Sequence, residues 1–180
     1  MTNIPGAPEN VRIATRDDEA EIFSLLMALN ADNSFGITPR PSDIDAAIHA
    51  GTRNGKETGV FIGVIDGDHG DLAASACLVP NSWWYCKSQW YLNELWVFVR
   101  PEYRTRGAYF DDLFRFMIAC QRLAEQSTGT KWPLVTSVSS LKRLPSKMRL
   151  WSRYGRLVGG IYLIDSDKAI EAAQAIERAA

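Results

Sequence analysis

The sequence predicts a single α/β domain, with a mixed central sheet carrying helices on both faces. Three observations predict it. The hydrophobic period switches along the chain between two residues and about 3.6. The resulting order, β-α-α-β-β-β-α-β-α-β-α, mixes strand–strand with strand–helix connections. With 46% hydrophobic and 23% charged residues, the 180-residue chain can fill one core and does not read as disordered.

Residues 11–14 read as a short first strand. Thr15 follows as an N-cap, with Asp18 three residues on completing a box-like cap. Ile22, Phe23, Leu25, Leu26 and Leu29 then form a helical apolar stripe. Ser42 and Asp45 repeat the capping pattern ahead of a shorter helix that carries Ile44, Ala47 and Ile48. Residues 52–55 read as a turn by composition. Strands are expected at 59–65 and 72–79, separated by a Gly/Asp turn at 66–70. A long aromatic connection, PNSWWYCKSQW, leads to another strand at 91–99, which Pro101 ends.

The helical period returns with Phe110, Leu113, Phe114, Met117, Ile118 and Leu123. Beyond it are expected a strand at 134–138, a short basic helix at 146–154 ended by Gly155, and a strand at 156–164. Ser166 caps an Ala-rich helix at 167–179, appended to a core at about 11–164.

Several classes of function are disfavoured. The longest apolar runs fall well short of the ~20 residues that span a bilayer. The start, MTNIPGAPEN, lacks the basic and apolar regions of a secretory signal, so a cytoplasmic protein without membrane attachment is expected. Cys77, Cys86 and Cys120 form no CxxC pair and read as free thiols, and His49 and His69 stand alone, so no metal site is expected. The net charge of −1 conceals an asymmetry. Residues 126–164 contain no acid but hold Lys131, Lys142, Arg143, Lys147, Arg149, Arg153 and Arg156. Such a segment suits either a phosphate-bearing partner or a solvated helix face.

The most informative stretch is NELWVFVRPEYRTRGAYFDDLFRFM, a strand, a basic glycine-containing loop and a helix. A helix N-terminus offers unpaired N–H groups and partial positive charge, a layout that can hold a phosphate. Arg104 and Arg106 add charge, and Gly107 allows close backbone approach. Within this stretch, VRPEYRTRGAY resembles the acyl-CoA signature of the GNAT acyltransferases, a strand ending near V-x-P-E-Y followed by R-x-x-G-x-G/A. Tyr109 departs from it, replacing a small residue.

The resemblance covers roughly residues 11–164. It implies a mostly antiparallel sheet of about six to seven strands, acetyl-CoA as acyl donor, and transfer to an amine of a small molecule or protein. A homodimer is compatible with it. It further implies that the backbone of Val97, Phe98 and Val99 pairs with the pantetheine arm. The amides of Thr105, Arg106, Gly107, Ala108 and Tyr109, beside Arg104, would hold the pyrophosphate. The N–H of Phe98 or Val99 would face the thioester carbonyl, where charge develops as the amine attacks.

An attacking amine must lose a proton. Glu94, between Leu92, Leu95 and Trp96, is the candidate base, since poor solvation raises a carboxylate's proton affinity. The family's A-x-x-L-Y-x-x-x-G-F tyrosine, which protonates the leaving thiolate, falls on Trp151, an indole with no usable acid. Tyr154 lies three residues on and is the substitute candidate. The family's upstream asparagine falls near Leu144, leaving Ser139, Ser140 or Ser146 as hydroxyl donors. Trp83, Trp84, Tyr85, Trp90 and Trp96 could wall an acceptor pocket or pack in the core. Phe35 and Arg40 lie in the stretch that borders the family's acceptor cleft. Two alternatives stay open: an acceptor amine linked to nucleic acid, or a non-catalytic acyl-CoA binder.

Overall fold

Apolar runs between polar turns, as expected for a sheet covered on both faces, make five strands among the described residues. They are β1 (Arg12–Ile13), β2 (Phe61–Asp66), β3 (Leu72–Trp83), β4 (Cys86–Val99) and β5 (Leu134–Val135). The computed structural model describes residues 4–31, 40–53, 55–83, 86–104 and 109–136. All of them lie in one compact unit spanning Met1–Asn33 and Ile37–Ser137; the other unit, Ser34–Gly36 and Val138–Ala180, lies outside the described residues. The strands lie in the spatial order β1-β2-β3-β4-β5. The first four are antiparallel to their neighbours, and β5 runs parallel to β4. A parallel neighbour needs a crossover, which α4 (Tyr109–Thr128) supplies. The mixed, mostly antiparallel sheet is as expected, but the described strands number five rather than six to seven. The strand expected at 156–164 lies outside the described residues.

The remaining helices are α1 (Glu19–Ala31), α2 (Pro41–Thr52) and the short α3 (Gly55–Thr58). Two neighbouring residues of β2 place helices on opposite faces of the sheet. A Cβ on Gly51 of α2 would meet the side chain of Ile62, and one on Gly63 would meet the ring of Phe116 of α4. Successive strand residues point to opposite faces, so α2 and α4 sandwich the sheet. The α1/α2 face is a continuous core of Ile22, Leu25, Ile48, Ile62, Val64, Cys77, Trp96 and Phe98. On α4, Leu113, Phe116, Met117 and Cys120 are buried at three- and four-residue spacing. Gly63 lets this helix lie close: a Cβ there would sit 2.6 Å from Phe116 Cε1.

The first cap forms as expected. The Asp18 carboxylate accepts the N–H of Thr15 at 2.7 Å and its hydroxyl at 3.0 Å, ahead of a 3₁₀ turn (Arg16–Asp18) that leads into α1. Arg12 bridges this carboxylate and that of Asp66, at 2.7 and 2.6 Å, tying β1 to β2. Burial pushes the Asp18 carboxyl up, but hydrogen bonds from Arg12 and Thr15 outweigh it and leave it below the usual range.

Three expectations are corrected. The N-cap of α2 is Arg40 rather than Ser42, because Pro41 occupies the first helical position, where its fixed φ fits and its missing N–H costs nothing. The turn expected at 52–55 is narrower: Thr52 still ends α2, Arg53 is a turn residue and Gly55 already begins α3, with residue 54 outside the described residues. The aromatic connection is instead largely strand: β3 and β4 run on as a hairpin to Trp83 and from Cys86. Ring contact between Trp83 and Tyr91, 4.6 Å between centroids, supports that extension. Among the described residues, no helix is long and apolar enough to cross a membrane.

Candidate functional site

The site grows from β4. On one edge the strand pairs with β3 from Cys86 to Val99. On the other, Leu92 and Asn93 pair with Leu134 and Val135, and beyond Asn93 no described residue of β5 pairs with it. The ladder with β3 also slips within this stretch. Cys77 pairs with Trp96 and Leu78 with Glu94, which leaves Leu95 as an extra residue on β4. Such a bulge disrupts the ladder locally, bends the strand and frees backbone groups; bulges recur beside active sites. Leu95 is 45% exposed, against 5% for Trp96 and 7% for Glu94. No sequence signal marks the bulge, because it exists only in the pairing of two strands.

Val99 hands the chain to a short, tightly held segment. The Arg100 N–H donates to Ala73 O at 2.9 Å, and its Nε donates to Leu72 O at 2.8 Å. The same guanidinium reaches Glu21 Oε2 of α1 at 3.2 Å. Pro101–Tyr103 forms a 3₁₀ turn. Arg104 folds back, donating from Nε to Val99 O at 2.9 Å, with its guanidinium 5.2 Å from the centre of the Phe98 ring. Thr105, Arg106, Gly107 and Ala108 lie outside the described residues. Tyr109 begins α4, and its ring stands 6.3 Å from that of Tyr103.

Glu94, Val97, Phe98 and Val99 thus lie along one strand, Arg104 folds back onto Val99 and Phe98, and Tyr109 stands against Tyr103. The Phe98 side chain packs in the α1/α2 core, so what it can offer a ligand is backbone. Tyr154 lies outside the described residues, as do Trp151, Ser139, Ser140, Ser146, Phe35, Trp84 and Tyr85. Arg40 is engaged by Asp43 at 3.0 Å.

The remaining tryptophans do not converge on one wall. Trp96 is core, its indole N–H donating to the buried Ser75 Oγ at 3.1 Å. Trp90 stacks on Trp132, at 5.8 Å. These two, with Phe61, Pro80, Leu92 and Leu123, line a groove of about 520 Å³. Leu123 lies fourteen residues along α4 from Tyr109, about 21 Å by helical rise, so this groove is remote from the start of α4. The cysteines are free, and burial pushes the Cys77 and Cys120 thiols far up, which makes both inert.

A strand that leads to a helix N-terminus can, where an edge of it is unpaired, take an extended, amide-bearing ligand as a further strand and hold an anion at its end. Compared by sequence, the chain matches no family model and no curated protein. Solved structures do match. A predicted acetyltransferase from Clostridium acetobutylicum, solved with acetyl-CoA, is 15% identical with a TM-score of 0.61, covering 87% of this chain and 95% of its own. Glucosamine-6-phosphate N-acetyltransferase from Arabidopsis thaliana is 13% identical at 0.58, covering 86% and 95%. An acetyltransferase from Trypanosoma brucei is 20% identical at 0.55, covering 86% and 97%. The strand order, the crossover through α4 and these whole-length matches agree: the chain has the GNAT acetyltransferase fold.

Proposed function

We propose that this protein is an N-acetyltransferase that moves the acetyl group of acetyl-CoA onto a primary amine. The observation that carries the reading is the course of β4: it is laddered to β3 as far as Val99, broken by a bulge at Leu95, and followed by the Arg104 turn and the start of α4. In this reading the backbone groups of Val97, Phe98 and Val99 bind the amides of a pantetheine arm as a strand would. The bulge at Leu95 adds a second candidate donor region, a few residues before the N–H groups of Phe98 and Val99, for the thioester oxygen.

The loop Thr105–Ala108 and the first turn of α4 would hold the pyrophosphate. Asp111 and Asp112 stand in that turn and oppose an anion, so the charges of Arg104 and Arg106 are needed to offset them. Glu94, buried on β4 one residue before the bulge, is the proposed base. The amine nitrogen, once its proton is taken, attacks the thioester carbonyl carbon. The C–N bond forms, the C–S bond breaks, and the thiolate leaves with a proton that Tyr154 is proposed to supply.

The test is thiol release from acetyl-CoA with and without a panel of amino sugars, polyamines and peptide amines. Amine-dependent release with a matching acetylated product supports the reading. Release at the same slow rate without any amine contradicts it.

A further inference from the structure

Across the junction of β4 and β5, side chains meet in steps of two residues. Trp90 stacks on Trp132 at 5.8 Å between ring centres, and two residues further along each segment Leu92 pairs with Leu134. Successive strand side chains point to opposite faces, so Glu94 and Thr136 come next on the same face, in step with each other. Neighbouring strands lie about 5 Å apart, which puts these two side chains within reach of one another. The face is the one that α4 covers. Phe61, Pro80, Trp90 and Leu92 line a groove there with Leu123 of α4, and Glu94 shares a register row with Leu78 and Phe61. The series passes from two aromatic rings to two leucines and ends on a carboxylate and a hydroxyl.

Both polar groups at that end are withdrawn from water. Glu94 is 7% exposed. Thr136 Oγ1 is sealed from solvent and has no hydrogen-bond partner among the described residues. A buried hydroxyl without a partner costs stability, whereas a valine of the same shape would not. Valine and threonine both suit a strand, so strand formation does not call for the hydroxyl. A polar group kept at the expense of the fold is a mark of a site that uses it. Here the side chain next to it in step is the proposed base.

We propose that Thr136 is a positioning residue for Glu94. Its hydroxyl, uncommitted within the fold, donates to one oxygen of the Glu94 carboxylate and leaves the other turned toward the amine whose proton it takes. The proposal rests on the acetyltransferase reading above. A hydrogen bond to the carboxylate favours its charged form, the form that can accept a proton, and holds it in one orientation. Thr136 itself touches no reacting atom.

The test is Thr136→Val in the full chain, with Thr136→Ser beside it. Acetyl transfer is read from acetyl-CoA to glucosamine, spermidine and a lysine-containing peptide, and stability is read by urea denaturation. Thr136→Val should lower kcat about tenfold with KM for acetyl-CoA unchanged. Its unfolding midpoint should stay level or rise, because no hydrogen bond within the fold is lost. Thr136→Ser, which keeps the hydroxyl, should restore most of the rate. In a Glu94→Gln background, Thr136→Val should cost nothing further. An unchanged kcat in Thr136→Val, or a loss that persists in full beside Glu94→Gln, overturns the proposal. A loss of rate matched by a fall in the unfolding midpoint, and not rescued by serine, overturns it as well, since packing alone would then explain the residue. A wild-type protein that acetylates none of the three amines overturns the reading on which the proposal rests, and so separates the two failures.

Discussion

Along its β3 edge β4 makes ten register pairs, from Cys86 to Val99; along its β5 edge it makes two among the described residues, at Leu92 and Asn93. The first edge is sealed by apolar packing from both faces, with Gly63 admitting Phe116 on one side and Trp96 seated on Ser75 on the other. Along the second, the described pairing ends at Asn93, and Glu94 and the Leu95 bulge follow. One strand therefore lies at the centre of the core and, in the proposed function, also receives the ligand. Stability and chemistry are separated by which edge of β4 a residue supports.

That separation can be broken by mutation. The largest expected effect is at the proposed base. Glu94→Gln should lower kcat about 100-fold or more, the usual contribution of a general base, with CoA affinity and unfolding midpoint near wild type. A variant that instead fails to fold would place Glu94 with the sealed edge. Next is Gly63→Ala, whose Cβ collides with the Phe116 ring; overpacking should cost about 1–3 kcal/mol by urea denaturation, without a specific loss of CoA affinity. Trp96→Phe leaves Ser75 Oγ without its indole donor and should cost about 1 kcal/mol, again in stability rather than turnover.

The smallest effect is electrostatic and far from β4. The Glu19 carboxyl, bound by Arg53 and then Thr52, is lowered to about 2 from 4.5. A lowered folded value stabilises fully above the unfolded one and is lost as pH falls. The contribution should fade between about pH 4.5 and 2, and Glu19→Gln should flatten that part of the stability profile. An unchanged acid limb would show that the α1–α2 bridge contributes nothing.

The two edges were also unequally legible. Thr15 with Asp18 and the stripe from Phe110 to Leu123 carry local signals, in capping chemistry and period, and these placed the helices. The Leu95 bulge carries none, since it arises from how Cys77 and Leu78 pair with Trp96 and Glu94. The hairpin through Trp83 and Tyr91 was hidden for a related reason: an aromatic-rich stretch has no clean alternation until its rings meet across two strands. The hydrogen bond from Tyr103 to Asp71 is equally nonlocal, although Tyr103 sits within the P-E-Y of the signature itself.

The most direct test of the account is thermal stability with acetyl-CoA and CoA, beside ATP and NADH as controls. A ligand that binds only the folded chain adds about 2.7 kcal/mol at 100 times its dissociation constant. The account predicts a clear rise in melting temperature with acetyl-CoA and CoA and none with the controls. No rise at millimolar acetyl-CoA would contradict the claim that β4 receives an acyl-CoA.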